Sequence, residues 1–265
     1  MFTCIFMIKK VLVRKEKREY IEDLKKSVVI SEGKKYYIED ITRDFHCAEG
    51  VIPKAELEKE NCIIKSNKDK EFYIFNASFM DSYKGIKKLA QTIPLKDLGF
   101  ILAETGIGKN SIVVDTGSGS GGCACFLATH VKEVHTFDIN ELHLEQVRKN
   151  IEYFDLKNVI VKKADVYETI PIKNVDLIVL DLPEPWRAID SANKALKIGG
   201  IIVAYCPQIT QAQVFVNELS KVHEYIHVKS VEIVERDWKI EGQIVRPKSL
   251  SNIHSGFITV VRKIN

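Results

Sequence analysis

The glycine-rich segment at residues 113–122, VVDTGSGSGG, has the clearest potential for chemistry in this sequence. A short apolar run leads into it, a helical stretch follows it, and Asp115 stands two residues before its first glycine, Gly117. Glycines permit a tight turn, and they let a bound molecule approach the backbone closely. The segment therefore predicts a ligand-binding loop that connects a strand to a helix.

Two classes of cofactor fit such a loop. Gly117, Gly119 and Gly122 satisfy the spacing of dinucleotide-binding folds, in which a pyrophosphate lies at the helix N-terminus. Asp115 disfavours that interpretation, because a carboxylate repels a pyrophosphate and attracts a cation such as the sulfonium or amino group of S-adenosylmethionine. The sequence thus favours S-adenosylmethionine and leaves a dinucleotide-dependent dehydrogenase as an alternative.

Two further acidic residues follow later strand candidates. Asp138 stands 23 residues after Asp115 and could accept hydrogen bonds from ribose hydroxyls in either cofactor. Asp165 follows the third strand and could contact the exocyclic amine of the cofactor's adenine. Each acid alone could equally be a helix N-cap. Three acids in this order indicate one site, because open α/β sheets bind ligands at the carboxyl ends of neighbouring strands.

The segment at residues 181–187, DLPEPWR, predicts the substrate side of the site. Methyltransferases that modify amino nitrogens in nucleic acids often carry an Asp or Asn here, followed by prolines and an aromatic residue. Prolines hold the loop extended, so Asp181 could accept a hydrogen bond from an exocyclic amine and Trp186 could cover a base. The simpler alternatives are that Asp181 caps a loop and that Trp186 belongs to the core.

Alternating strand and helix patterns from residue 111 onward position these segments. The nearly continuous apolar run at residues 175–181 is typical of a strand buried on both faces of a parallel sheet. We predict strands at 111–115, 133–137, 158–162, 175–181, 201–205, 228–234 and 256–261, and helices at 140–154 and 209–219. This order predicts an α/β fold with a doubly wound sheet.

Residues 1–75 predict a small β domain, followed by a larger α/β domain at residues 76–265. Short β-like runs occur at 11–13, 35–39, 62–64 and 72–75, without a long amphipathic helix. The net charge is +3, and the basic excess lies in residues 1–110, which hold 21 lysines and arginines against 17 acids. From charge alone, solvated surface lysines explain this excess better than a nucleic-acid partner does.

The composition, with 45% hydrophobic and 28% charged residues, is typical of a soluble globular protein. No apolar run approaches the roughly 20 residues that span a bilayer. The apolar stretch Phe2–Ile8 is followed by lysines instead of preceded by them, which is the wrong order for a secretory signal, so we expect a cytoplasmic protein. Six cysteines lack the spacing of zinc or redox motifs, and we expect reduced thiols and no metal: Cys4, Cys47, Cys62, Cys123, Cys125 and Cys206.

The chain resembles, over nearly its whole length, the archaeal and bacterial tRNA adenine-N1 methyltransferases. That family acts on the T-loop, at tRNA position 58 and in some archaea also at position 57. The similar segments are Phe45-His46, Gly50-Val51-Ile52, Ile64-Lys65-Ser66, residues 91–97, residues 181–186, Tyr205-Cys206-Pro207 with Gln211, Val245-Arg246-Pro247 and His254-Ser255-Gly256-Phe257. The last two look like a closing hairpin. Gly122-Cys123 and Ser255 depart from the family's usual residues.

The resemblance implies a class I, Rossmann-like methyltransferase sheet with a small N-terminal β domain for tRNA binding or assembly. It also implies S-adenosylmethionine as cofactor, tRNA as partner and a homotetramer. The residues implied to bind the cofactor are Gln91, Asp115, Gly117, Gly119, Ser120, Gly121, Gly122, Asp138, His143, Asp165 and Asp181. Those implied to bind the substrate are Pro183, Trp186, Tyr205, Arg246 and His254.

The expected chemistry is an in-line transfer of methyl to the N1 lone pair of adenine. Neutral adenine already offers that lone pair, so positioning matters more than a strong base. Asp181 is the expected catalytic residue, because its carboxylate could orient the N6 amine and stabilise the developing positive charge. The adenosine must leave its folded surroundings to react, and Trp186, Tyr205 and His254 are candidates to flank it. His254 could equally be a hydrogen-bonded loop histidine.

Two other functions stay open at this point. A methyltransferase of another RNA, a protein or a small molecule fits the glycine loop and the acids equally well, but it has no evident use for the prolyl-aromatic loop. A noncatalytic tRNA-binding subunit is disfavoured, because such relatives lose the glycine loop and the catalytic acid, and this chain keeps both.

Overall fold

The computed structural model of the chain describes residues 7–242, 244–249 and 254–265. The chain divides into two compact units, Met1–Ile86 and Lys87–Asn265. The division follows the short helix Phe79–Tyr83, whereas the sequence pattern places the boundary between residues 75 and 76. Cys4 and most of the stretch Phe2–Ile8 lie outside the described residues.

The N-terminal unit is an antiparallel β structure, which confirms the predicted small β domain. Its elements are β1 (Lys10–Arg14), β2 (Lys17–Ile21), β3 (Lys26–Ser31), β4 (Lys34–Ile38), β5 (Phe45–Cys47), β6 (Gly50–Ile52), α1 (Lys54–Leu57), β7 (Cys62–Lys65), β8 (Glu71–Asn76) and α2 (Phe79–Tyr83). One sheet has the order β4-β1-β8-β7, and β2–β3 and β5–β6 are separate pairs. Its core consists of Leu12, Ile38, Ile52, Leu57, Ile64, Phe72 and Ile74.

The C-terminal unit is an α/β structure built on a seven-stranded sheet. Its elements are α3 (Leu95–Thr105), β9 (Ile112–Thr116), α4 (Gly122–Ala128), β10 (Glu133–Asp138), α5 (Glu141–Tyr153), β11 (Val159–Lys163), β12 (Val175–Leu180), α6 (Ile189–Ala195), β13 (Leu196–Cys206), α7 (Ile209–Leu219), β14 (Tyr225–Glu232), β15 (Trp238–Glu241), β16 (Ile244–Pro247) and β17 (Phe257–Lys263). The sheet order is β11-β10-β9-β12-β13-β17-β14.

The strand directions confirm the predicted class I fold. Strands β9 to β13 pair in parallel, and β17 runs antiparallel to both β13 and β14. The apolar strand β12 is almost fully buried, because it lies between β9 and β13. From β9 the chain builds the sheet first to one side and then, starting with β12, to the other. Such a switch point leaves a crevice beyond the carboxyl ends of β9 and β12, where sheets of this kind bind ligands.

Two predictions near the C-terminal end are wrong in detail. We expected a strand at 201–205, but β13 already begins at Leu196. Its pairing with β12 shifts register between Leu196 and Ile201, so Gly199 and Gly200 lie in an irregular part of the strand. The expected closing hairpin is also wrong, because β16 pairs with β15, whereas Phe257 begins β17 in the main sheet.

The described residues hold five free thiols, at Cys47, Cys62, Cys123, Cys125 and Cys206. Within the same residues, no group of three or more His, Cys, Asp or Glu side chains could hold a metal ion. None of the helices described here has the length and apolar character needed to cross a membrane.

Candidate active site

A cavity of about 660 Å³ opens at the switch point of the sheet. Its volume is typical of small-ligand sites, which measure roughly 300–1,000 Å³. Loops that follow β9, β10, β11 and β12 form most of its wall. The lining residues are Ala90, Gln91, Gly117, Gly119, Phe137, Asp138, Ile139, Asn140, His143, Ala164, Asp165, Val166, Tyr167, Asp181, Leu182, Pro183 and Arg187.

Gly117 lies directly against the loop that follows β12. Its φ is +76°, and a Cβ at this position would overlap the carbonyl oxygen of Asp181. The backbone N–H of Asp181 donates to the Thr116 carbonyl at 3.1 Å. Glycine therefore allows the backbone of the first loop to lie beside the predicted catalytic acid.

The Ser120 hydroxyl connects the segment before α3 to the glycine loop. Its Oγ accepts hydrogen bonds from the N–H groups of Leu89 and Ala90, at 2.8 and 3.0 Å, and donates to the Ala90 carbonyl at 3.1 Å. Ser120, Gly121 and Gly122 are buried behind the cavity wall. Ser120 holds the wall that contains Gln91 in place, and none of the three lines the cavity.

Asp138 is fixed at the cavity wall by backbone groups. Its Oδ2 accepts from the N–H of Gly119 at 3.1 Å and lies 3.0 Å from His143 Nδ1. Its Oδ1 accepts from the N–H of Asn140 at 2.8 Å. Since a carboxylate has about four acceptor positions, Oδ1 keeps capacity for a ligand hydroxyl.

The loop after β11 forms another wall, with Asp165 and Tyr167. Asp165 Oδ1 accepts from the Tyr167 N–H at 2.9 Å. The Arg187 guanidinium lies 4.4 Å from the centre of the Tyr167 ring and 2.9 Å from a Glu184 carboxylate oxygen. Sequence reasoning missed Tyr167 and Arg187, although each adjoins a predicted site segment.

Asp115, near the end of β9, and Asp181, which follows the adjacent strand β12 and lines the cavity, form what we call the acidic pair. Asp115 lies behind the lining, is only 1% exposed and accepts from the Thr136 hydroxyl at 2.7 Å. Burial, together with Asp138, raises the pKa of Asp115 to about 6. Burial, together with Asp115, raises the pKa of Asp181 to about 7. No cationic side chain among the described residues pairs with either carboxylate, which suits a cationic ligand.

Some residues of the loop at 181–187 line the cavity, and others pack against the core. Pro183 lines the cavity, and its carbonyl accepts from Gln211 Nε2 at 2.9 Å. Trp186 is half-buried and packs against the apolar core, as in the simpler alternative considered for it. The structure therefore does not bring Trp186 into the cavity lining.

Tyr205 lies in a buried polar network outside the cavity lining. The Tyr205 hydroxyl and the Ser255 hydroxyl both donate to Asp97 Oδ2, at 3.2 and 2.6 Å, and Lys96 Nζ donates to Asp97 Oδ1 at 2.8 Å. Gly256 packs so closely on the Tyr205 ring that a Cβ would overlap it. Burial, Asp97 and Asp181 all raise the pKa of Tyr205. The network thus holds a neutral phenol near the acidic pair.

The remaining predicted residues, His254 and Arg246, are exposed. His254 Nδ1 lies 2.6 Å from Glu232 Oε1 and Nε2 lies 3.0 Å from the Pro207 carbonyl oxygen, which connects the ends of β14 and β13. The Glu232 contact is the main reason that the pKa of His254 is raised. Arg246 belongs to the β15–β16 hairpin and donates to the Pro247 carbonyl at 3.2 Å.

The sequence and the fold of this chain are both similar to those of known methyltransferases. Residues 85–256 match the family described as tRNA methyltransferase complex GCD14 subunit. The tRNA (adenine(57)-N(1)/adenine(58)-N(1))-methyltransferase of Methanocaldococcus jannaschii is 36% identical, over 80% of this chain and 86% of that protein. A SAM-dependent O-methyltransferase from Thermotoga maritima has a TM-score of 0.76 at 25% identity, covering 97% and 93% of the two chains. The tRNA methyltransferase TrmI from Aquifex aeolicus shares the fold, with a TM-score of 0.76 at 21% identity and 98% of both chains covered.

Proposed function

This chain belongs to the tRNA (adenine-N1-)-methyltransferase family, and we infer from that membership that it transfers methyl from S-adenosylmethionine to N1 of an adenine in the T-loop of tRNA. The structural observation that supports this function best is the Asp181 carboxylate, which follows β12 at the cavity and has no cationic partner in the part of the chain that the structure describes. The dehydrogenase alternative loses its support, because the acidic pair would repel a pyrophosphate.

The cavity suits S-adenosylmethionine in size and charge. When bound, this cofactor supplies an electrophilic methyl group on a sulfonium. We propose that Asp138 accepts from the ribose hydroxyls, that Asp165 accepts from the adenine amine, and that the acidic pair faces the sulfonium. Gln91, Gly117, Gly119 and His143 complete the wall. Ser120, Gly121 and Gly122 act from behind it by fixing the loops.

Asp181 is the proposed catalytic residue. Its carboxylate would accept from the N6 amine of the target adenine and thereby align N1 with the methyl group. As methylation makes the ring cationic, the same carboxylate stabilises the charge that develops. Burial strengthens this effect, because water screens the interaction less there.

The substrate residues divide by their positions. Pro183 lines the cavity and would contact the base directly. Tyr205, which Asp181 affects electrostatically, and His254, which contacts Pro207 and Glu232, would flank the target adenosine from the ends of β13 and β14. Trp186 is better described as a packing residue that supports the loop. Arg246 is exposed on a hairpin and would contact tRNA outside the cavity.

We also propose a homotetramer that binds tRNA partly through the small β domain, in the cytoplasm where tRNA functions. The β15–β16 hairpin exposes apolar side chains, with Ile240 72% and Val245 61% exposed. An isolated two-stranded hairpin is marginally stable in water. Contact with another copy of the chain would cover these side chains and stabilise the hairpin.

The direct test is mass spectrometry of nucleosides from an unmodified tRNA transcript incubated with the protein and labelled S-adenosylmethionine. We expect labelled N1-methyladenosine. Transcripts that lack adenine at position 57, at position 58 or at both assign the modified site, since the M. jannaschii relative carries both positions in its name. Binding of the cofactor without methylation of any tRNA adenine would contradict the proposed substrate.

A further inference from the structure

We propose that the acidic pair distinguishes S-adenosylmethionine from its demethylated product, S-adenosylhomocysteine, by charge, and that the pair takes up a proton once the positive charge has left with the methylated base. This inference rests on the proposed function, because it concerns the same cavity. It adds a specificity-determining role for Asp115, a residue that lies behind the cavity lining.

The surroundings of Asp115 offer only weak neutral donors to its carboxylate. Oδ2 accepts from the Thr136 hydroxyl at 2.7 Å, and the Cys123 thiol is its other hydrogen-bond partner. At 1% exposure, water gives the carboxylate little help. Hydrogen bonds from neutral groups stabilise a carboxylate less than those from cations, so the negative charge of Asp115 is left largely uncompensated.

The titratable groups that face the acidic pair from neighbouring elements do not supply a cation. They are Asp138 at the end of β10, Cys123 and Cys125 in α4, and Tyr205 and Cys206 at the end of β13. Burial raises the pKa of each of these thiols and of Tyr205, so these groups stay neutral at physiological pH. Since no cationic partner of either carboxylate stands among residues 7–242, 244–249 and 254–265, we assign the compensating cation to a ligand.

The positive charge gained and lost at the site during the reaction then determines the protonation state of the acidic pair. Without a cation, two buried carboxylates on adjacent strands that repel each other retain a proton near neutral pH. A sulfonium at the same place favours the form with both groups ionised. Transfer breaks the sulfur–carbon bond, forms the N1–carbon bond and moves the positive charge to the adenine ring. When that base leaves, the pair faces a neutral thioether and regains its proton from water.

The ratio of two dissociation constants isolates this effect. S-adenosylmethionine and S-adenosylhomocysteine share every group except the sulfonium methyl, so contributions from the ribose, adenine and amino acid cancel. Calorimetric titration of each compound from pH 5.5 to pH 8.5 measures the ratio. We expect the preference for S-adenosylmethionine to rise with pH by up to about tenfold per pH unit, the limit for one proton. Titration in two buffers of different ionisation enthalpy should show proton release with S-adenosylmethionine alone.

Two variants and a control complete the test. Asp115→Asn should make the ratio nearly independent of pH. Cys123→Ala removes a neutral donor without changing the charge, so the rise in preference for S-adenosylmethionine should move to higher pH. This variant replaces Asp115→Asn as the test if Asp115→Asn fails to fold. Asp138→Asn is the comparison: loss of a ribose acceptor should weaken both compounds about equally, and loss of its charge should move the rise to lower pH while the slope per pH unit stays the same.

Each outcome decides the inference. A ratio in the unmodified protein that stays within about twofold across this range, or a slope that Asp115→Asn retains, overturns the inference and leaves the proposed function standing. Failure of both compounds to bind overturns the proposed cofactor and this inference together.

Discussion

Gly117 lies so close to the carbonyl oxygen of Asp181 that a residue with a Cβ does not fit between the two loops. We predict that Gly117→Ala lowers the free energy of unfolding by about 2–4 kcal/mol, from backbone strain and steric overlap. It should also weaken S-adenosylmethionine binding about tenfold or more, because the loops must separate. Urea denaturation and calorimetry measure the two effects. Gly106→Ala is the matched control, since its φ is +63° with nothing within 4 Å of the added Cβ. An equal loss of stability in Gly106→Ala would show that backbone strain alone, without steric overlap, explains the effect of Gly117→Ala.

Asp181 should matter for turnover more than for cofactor binding. Asp181→Ala loses both the hydrogen bond and the charge, and we expect single-turnover methylation of an unmodified tRNA transcript to slow by about 10²–10³. Asp181→Asn keeps an acceptor but no full charge, so part of the activity should remain. Cofactor titration of both variants provides the comparison. Methylation by Asp181→Ala at the parent's rate would reduce Asp181 to a loop cap.

Asp115 should lower stability at alkaline pH. Its pKa of about 6 exceeds the ordinary 3.8, so the folded state binds the proton more tightly than the unfolded state. Stability therefore falls as pH rises from about 4 to about 6. We expect Asp115→Asn to match the parent near pH 4 and to exceed its free energy of unfolding at pH 8 by the order of 1–3 kcal/mol. Urea denaturation at both pH values tests this.

Asp81 provides a control for the urea denaturation experiment, because its effect on the free energy of unfolding should have the opposite dependence on pH. Despite burial, hydrogen bonds from Lys35 and Ser78 lower the pKa of Asp81 to about 2. It therefore contributes stability above pH 3.8 that is lost as pH falls toward 2. Asp81→Asn should destabilise the protein at pH 8. A change of the same sign in both variants at pH 8 would contradict the assignment.

The contact between Arg187 and Tyr167 should support cofactor binding at the cavity rim. Arg187→Ala removes a cation–π contact worth about 0.5–1 kcal/mol at an exposed site, so we expect S-adenosylmethionine affinity to fall about twofold to fivefold with little change in stability. Arg187→Lys retains the charge but not the planar stack, so its affinity for S-adenosylmethionine should lie between those of the parent and of Arg187→Ala. Calorimetry that gives the same affinity for all three proteins would exclude a role for this contact.

The assembly prediction concerns the β15–β16 hairpin. We expect a native mass about four times the 30.2 kDa chain by light scattering. Ile240 and Val245 are cross-strand partners, so Ile240→Lys with Val245→Lys places charge on one exposed apolar face and should lower that mass. Ile198→Lys, at a site 68% exposed in the main sheet, is the control. A monomeric parent, or an unchanged mass in the double variant, would reject the proposed interface.

The sheet could be predicted from the sequence because its signals are local. Apolar runs such as residues 175–181 form the buried strands, and the acids at their ends lie where the strands stop. Helix α3 escaped prediction because Gly99 interrupts its apolar pattern. The β2–β3 pair escaped because β2 is exposed on both faces and has no alternation to detect.

The surroundings of the site were less accessible to sequence reasoning. In the network around Asp97, the partner Tyr205 is 108 positions away in the sequence and the partner Ser255 is 158 positions away. Spacing alone does not reveal contacts between such distant residues. Trp186 illustrates a related limit, since the same aromatic residue after a proline could cover a base or enter the core. Only the packing of the loop against the core decided between these positions.

Strand β17 also determines when the main sheet can be completed during synthesis. It lies between β13 and β14, although both precede it in the chain. Because a nascent chain emerges from its N-terminal end, β14 has no partner and β13 keeps an open edge until residues 257–263 have been translated. Open edges invite pairing with other chains. A ribosome that stalls between β14 and β17 would therefore leave a nearly finished enzyme in its most aggregation-prone form, and a target for cellular quality control.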